Sequence, residues 1–243
     1  MANRAMKGTP GRCVHCLAHV AQITDDHLLP KSWYPDTTPA NLEKWKIPAC
    51  RPCNHEYGKL EAKLRPLFAA CVDPHGEATS GIWQKVVDGF SPHKARSPID
   101  ALKRKLEHRR FMSRLRPVTA ELAKHALPEI KNRPYGNMAL QIPAADLHRF
   151  GAKLIRGTVY LADKRYLDDT DIGISLIAPD DEGDLQQLFE LGQPFDRGLA
   201  IRIRRALDPN NGDMLFRFDI WDQFRIYGYA FHGRRPQALP ELR

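Results

Sequence analysis

Two Cys-x2-Cys pairs, Cys13/Cys16 and Cys50/Cys53, dominate the first quarter of this chain, with residues 17–49 between them. A stretch of about 50 residues rich in Pro, His and Asp has too little apolar surface to hold itself folded. Segments below roughly 70–80 residues usually need a metal or disulfide staple. Thiolates two residues apart can reach one ion from a tight turn, and two such turns complete the tetrahedral shell that zinc prefers. The spacing therefore predicts one structural Zn²⁺ held by Cys13, Cys16, Cys50 and Cys53. A closed thiolate shell leaves no position for substrate. The fifth cysteine, Cys71, follows an apolar helix and is expected to be core filler.

The N-terminus carries basic residues but no apolar secretory region, and no window approaches the ~18 apolar residues of a membrane span. A cytoplasmic location is expected, in which thiols stay reduced. With 243 residues, 42% of them hydrophobic and 27% charged, the chain has material for a real core. The net charge of +8 favours a polyanionic partner.

Beyond Cys53 the pattern turns helical. Leu60, Leu64, Leu67 and Phe68 recur at helical spacing, with Pro66 expected to kink or end that helix. A short helix is expected around Ile82–Val87. Ser97-Pro98 reads as an N-cap and first helical residue, followed by an apolar stripe of Ile99, Leu102 and Leu106. Another helix is expected around Thr119–Leu127 and a linker around Asn132–Gly136. A helix over about 144–161 and a short one near 184–191 accompany four alternating runs: Ile172/Ile174/Leu176, Leu199/Ile201/Ile203, Phe216/Phe218/Ile220 and Phe224/Ile226. Asp208-Pro209-Asn210-Asn211-Gly212 is a turn signal. Helices first and strands last predict an α+β fold: an N-terminal zinc module (1–66), a basic helical region (67–133) and an antiparallel C-terminal region (134–243).

Between the cysteine pairs stand Asp25-Asp26-His27-Leu28-Leu29-Pro30 and Asn41-Leu42, and the second pair continues as Cys53-Asn54-His55. In this order the residues resemble the HNH endonuclease family, whose ββα-metal module is treble-clef-like; the resemblance covers about residues 11–62. It implies metal-dependent hydrolysis of DNA phosphodiesters. His27 would be the general base, Asp26 and Asn54 the ligands of a catalytic Mg²⁺ or other divalent ion, and Asn41 a brace for the loop and the base. His55 is the alternative to Asn54. The chemistry is consistent: an imidazole of ordinary pKa near 6.5 suits proton abstraction near neutral pH, and a carboxylate and an amide oxygen suit a hard cation. Adjacent residues on a flat strand face opposite ways, so Asp26 and His27 can share one ion only where the strand bends.

Residues 94–116 concentrate positive charge, nine Lys and Arg against Asp100 and Glu107. Within it, Lys103, Arg104, Arg109, Arg110 and Arg114 are the candidates for phosphate contacts with double-stranded DNA. The C-terminal region is expected to serve substrate choice, partner binding or homodimer formation. Two other functions fit the same residues: a zinc-stabilised nucleic-acid-binding module that does not cut, and an RNA-cleaving toxin or defence effector.

Overall fold

The computed structural model describes residues 8–117, 138–168, 170–175 and 183–232. The expected helix at 119–127, the linker at 132–136 and Leu176 of the first alternating run lie outside them.

The fold is α+β. Two short antiparallel ribbons, β1 (Gly11–Arg12) with β2 (His19–Val20) and β3 (Thr24–His27) with β4 (Lys46–Ala49), precede helix α1 (Arg51–Ala69). Cys50 is the extended residue before α1, and Pro52 sits in its first turn, where the missing N–H costs nothing. Pro66 lies inside α1, which runs on to Ala69 rather than ending there. Helices α2 (Ile82–Phe90) and α3 (Pro98–Met112) follow. The Ser97 hydroxyl caps α3 by accepting from the Asp100 N–H at 3.2 Å, as the Ser-Pro signal predicts. The apolar stripe of α3 is corrected: Ile99 is 82% exposed and Leu102 59%. The helix docks instead through Phe111 against Phe90 and through Arg104, whose guanidinium donates to the Asp88 carbonyl at 2.8 Å.

After the small ribbon β5 (Leu115–Pro117) and β6 (Met138–Leu140) comes the long helix α4 (Ala144–Asp163). Strand β7 (Thr170–Ser175), helix α5 (Gly183–Glu190) and strands β8 (Gln193–Asp196), β9 (Ile201–Leu207), β10 (Met214–Ile220) and β11 (Phe224–His232) complete the described chain. The last five strands form one antiparallel sheet in the order β7-β11-β10-β9-β8. Inward residues alternate as period two requires: Ile201 and Ile203 on β9, Phe216 and Phe218 on β10.

One core joins the N-terminal ribbons to this sheet. Trp33, Phe68, Phe150, Trp221 and Phe224 form its aromatic centre, with ring centroids 4.0–5.7 Å apart. The Trp221 indole N–H donates to the Trp33 carbonyl at 2.6 Å. That anchor accompanies the left-handed backbone of Trp221 (φ 53°), a conformation unfavourable for a bulky residue.

Helix α4 crosses directly over the β3/β4 ribbon at Gly157. A Cβ there would lie 2.4 Å from the Leu28 side chain and 3.0 Å from that of Ile47. Both neighbours are buried and cannot swing into solvent. Gly157→Ala is therefore expected to push helix and ribbon apart and to destabilise the fold by about 1–3 kcal/mol despite the better helix propensity of Ala. Thermal unfolding monitored by circular dichroism checks this; an unchanged or raised Tm would contradict it.

Candidate metal centre and the ribbon beside it

The four paired cysteines converge. Their Sγ atoms all lie within 4.8 Å of one another, and Cys16 and Cys50 approach to 3.8 Å. A tetrahedron with Zn–S bonds of about 2.3 Å has edges of about 3.8 Å, so the cluster has the dimensions of a zinc shell. The first turn is built for this: the Leu17 N–H donates to the Cys13 carbonyl at 2.9 Å, Leu17 takes a left-handed φ of 65°, and the His15 N–H points at Cys13 Sγ at 3.4 Å. The second turn is the start of α1, where the Asn54 N–H donates to the Cys50 carbonyl at 3.0 Å. Burial pushes the Cys13 and Cys53 thiols up and favours their protonated form, whereas at Cys16 burial is outweighed by the Ala18 backbone and the neighbouring cysteines, which bring the thiol down. A divalent ion reverses that balance, and four soft sulfurs suit zinc.

The cysteine cluster joins the β1/β2 turn to the N-terminus of α1 and leaves the β3/β4 ribbon packed on α1. In the register, Thr24 pairs with Ala49, Asp25 with Pro48, Asp26 with Ile47 and His27 with Lys46. Asp26, Ile47 and Ala49 are buried, while Asp25, His27 and Lys46 are half-buried on the other face. Asp26 and His27 thus follow ordinary strand alternation.

Asp26 is the centre of a buried polar network. Its Oδ1 accepts from Lys153 Nζ at 2.9 Å, and its Oδ2 accepts from His15 Nε2 at 2.9 Å. The same ammonium also donates to Glu61 Oε1. All four residues are at most 7% exposed, and Lys153 is wholly buried. Its Nζ stands 5.5 Å from the centre of the Tyr57 ring. Burial lowers the His15 imidazole's pKa, which gives a neutral ring that donates from Nε2 and keeps Nδ1 as a bare acceptor. Burial works to raise the Asp26 carboxyl, but the His15 hydrogen bond and the Lys153 charge outweigh it and hold the group below its usual value. Glu61 goes the other way: burial pushes it up to about 7 against the pull of Lys153. Two carboxyls share one ammonium, and Glu61 is the one whose proton is harder to remove.

The other expected site residues are dispersed. His27 is half-buried, with a buried Nδ1 that has no hydrogen-bond partner among the described residues. Burial, then the charge of Lys31, lowers its pKa, leaving the base form at neutral pH. The Asn54 amide donates to Thr24 Oγ1 at 3.0 Å and to the Asp25 carbonyl at 3.1 Å, which ties the first turn of α1 to β3. His55 is exposed on α1. Asn41 is exposed in a turn and makes no side-chain hydrogen bond among the described residues, so no brace to His27 is seen there.

The expected catalytic cation can be tested against this arrangement. A divalent ion on Asp26 would have to share a buried carboxylate whose two oxygens already serve an ammonium and an imidazole. Asn54 offers a single neutral oxygen. This donor set does not fit a hard divalent ion while Lys153 is in place. Among the described residues, the four cysteines are the one group of three or more His, Cys, Asp or Glu side chains close enough to hold an ion.

Of the expected phosphate contacts, Arg104 is committed to Asp100 and the Asp88 carbonyl, and Arg110 to Glu107 at 2.8 Å. Lys103 and Arg109 are exposed, and Arg114 is half-buried. A cleft of about 410 Å³ opens beside the ribbon, lined by Leu28 and Lys46, the chain and cross-strand neighbours of His27, and by Trp45, Phe195 and Arg197. The Arg197 guanidinium lies 4.3 Å from the centre of the Trp45 ring.

Sequence reasoning missed the buried ion pairs of Lys153 with Asp26 and Glu61. A lone Lys between Phe150 and Gly157 on an otherwise apolar helix face was the available signal. No helix among the described residues is long and apolar enough to cross a membrane. Comparison with protein-family models, curated proteins and solved structures finds no match to this chain.

Proposed function

We propose that the chain is an endonuclease of the HNH kind, hydrolysing DNA phosphodiesters with His27 as general base. The observation that carries the reading is the state of His27. It lies on a ribbon packed against a zinc-clamped helix, its pKa is held down so that the imidazole is neutral, and its Nδ1 is buried and unpartnered among the described residues. A neutral imidazole on a rigid frame suits proton abstraction from water, and the cleft is lined by its neighbours Leu28 and Lys46 rather than by His27 itself.

In this reading His27 takes a proton from a water whose oxygen attacks phosphorus. The new P–O bond forms as the bond to the 3′ oxygen breaks, and that oxygen takes a proton from solvent. Products carry 5′-phosphate and 3′-hydroxyl ends. Arg197, in the cleft, offers positive charge to the phosphates, Lys46, opposite His27, does so from an ion pair with Asp25 at 3.3 Å, and Lys103 and Arg109 of α3 extend the basic surface. No step uses the divalent ion implied by the resemblance, because Asp26 is held by Lys153.

The test is a cleavage panel of plasmid DNA, single-stranded DNA and RNA, with Mg²⁺, Mn²⁺ or EDTA. Wild-type protein is expected to nick or cut DNA, and His27→Ala to lose about 100-fold or more of the rate with zinc content and folding intact. Equal rates in the two proteins would remove His27 from its role. The commitment of Asp26 to Lys153 favours a second reading, a zinc-stabilised module that binds nucleic acid without cutting. Pure protein that binds DNA and cuts nothing in any arm would select it, and cleavage confined to RNA would select the toxin or effector reading.

A further inference from the structure

We infer that Lys153 of α4 is the resident cation of the Asp26 carboxylate, and that its ammonium excludes a divalent metal ion from that position. The inference deepens the nuclease reading by specifying the charge chemistry beside His27, but it concerns binding and stands or falls without any cleavage.

The placement is specific. The ammonium donates to Asp26 Oδ1 at 2.9 Å and to Glu61 Oε1, and Tyr57 offers the face of its ring on a further side. The Lys153 side chain is wholly buried, so neither water nor a phosphate reaches it. Its backbone is fixed one helical turn from Gly157, where α4 touches Leu28 and Ile47 of the ribbon that carries Asp26. A second tie, Lys63 Nζ to Asp146 Oδ2 at 2.5 Å, holds α4 to α1 near the helix start. Lys153 is thus delivered to Asp26 by packing on both sides and cannot leave by a simple side-chain rotation.

The position it fills is where two carboxyl groups meet: Asp26 comes from the strand of the ribbon and Glu61 from the helix packed on it, while His15 Nε2 already occupies the other Asp26 oxygen. A metal ion entering there would meet a buried positive charge at contact distance in a medium that screens little. It would also have to displace Lys153, stranding an ammonium in the core.

The experiment is Mn²⁺ binding followed by electron paramagnetic resonance on the zinc-loaded full chain. Wild type and Asp26→Asn are expected to bind Mn²⁺ equally weakly, since Asp26 is not available. Lys153→Met is expected to acquire one site, at least about tenfold tighter than any in wild type, which Asp26→Asn in the same background abolishes. Wild-type protein that holds an Mn²⁺ ion lost on Asp26→Asn would overturn the inference. A folded Lys153→Met protein with no new site would overturn it too. Should Lys153→Met not fold, the Glu61→Gln/Lys153→Met double variant leaves one carboxylate rather than two, and the wild-type comparison with Asp26→Asn still decides. Absence of DNA cleavage in every protein would count against the nuclease reading and leave this result untouched.

Discussion

Removing the zinc is expected to unfold the N-terminal third of the molecule and to loosen the core it shares with the C-terminal sheet. Binding to a four-thiolate shell supplies on the order of 10 kcal/mol, comparable with the entire 5–15 kcal/mol that separates folded from unfolded in a typical domain. Little else closes the segment, since β1 and β2 contribute two residues each and β3 and β4 four each. Their geometry is imposed by the two thiolate turns, and the buried His15 follows directly on the first of them. Cys50→Ser is the sharpest version, because it removes a buried ligand at the residue that starts α1. Loss of one stoichiometric zinc, a Tm lowered by tens of degrees and exposed Trp33 fluorescence are expected together. Cys71→Ser, outside the cluster, should keep zinc and melt close to wild type. A Cys50→Ser protein that melts with wild type would remove the metal from its structural role.

This centre was legible because zinc chemistry is local in sequence: two turns, each with its ligands two residues apart, announce themselves. The antiparallel C-terminal strands were legible for a similar reason, as Ile201/Ile203 and Phe216/Phe218 alternate at the period of a half-buried strand. The apolar stripe of α3 misled. Ile99, Leu102 and Leu106 have the right spacing, but the periodicity of one helix says nothing about whether another element packs there. The helix is held by Phe111 and by the guanidinium of Arg104. The network at Asp26 was illegible for a different reason. Asp26 and Lys153 are separated by 127 positions, and their meeting depends on α4 crossing the ribbon at Gly157. An Asp-His pair reads as a reactive site when its neighbours in space are unknown. With Lys153 and His15 in place, the carboxylate is first of all part of the core.

That core placement sets a large cost for disturbing it. Lys153→Met is expected to destabilise the fold by about 3–5 kcal/mol, because it leaves Asp26 as an uncompensated buried charge beside Glu61. Replacing all three groups together, with Asp26→Asn and Glu61→Gln added, should recover most of that loss, since a neutral polar cluster no longer demands a counter-charge. Urea denaturation of the two proteins separates the cases; equal stabilities would mean that the ammonium does not balance these carboxyls. The pH dependence gives an independent check. Glu61 keeps its proton up to about 7 in the folded protein but releases it near 4.5 once unfolded. Between those values the folded state binds more protons, so this group makes stability fall as pH rises from about 4.5 to 7. Asp26 acts in the opposite sense at lower pH: its folded pKa is depressed, and the stability it contributes is lost as acid protonates it. Burial lowers the pKa of His15 and His27, so these two rings make stability rise with pH up to about 6.5, against Glu61. Glu61→Gln should therefore remove the descending contribution between about 4.5 and 7 and leave the acid limb in place. A Glu61→Gln profile with the same slope as wild type between about pH 4.5 and 7 would show that Glu61 is already ionised there, and that Lys153 satisfies both carboxylates at once.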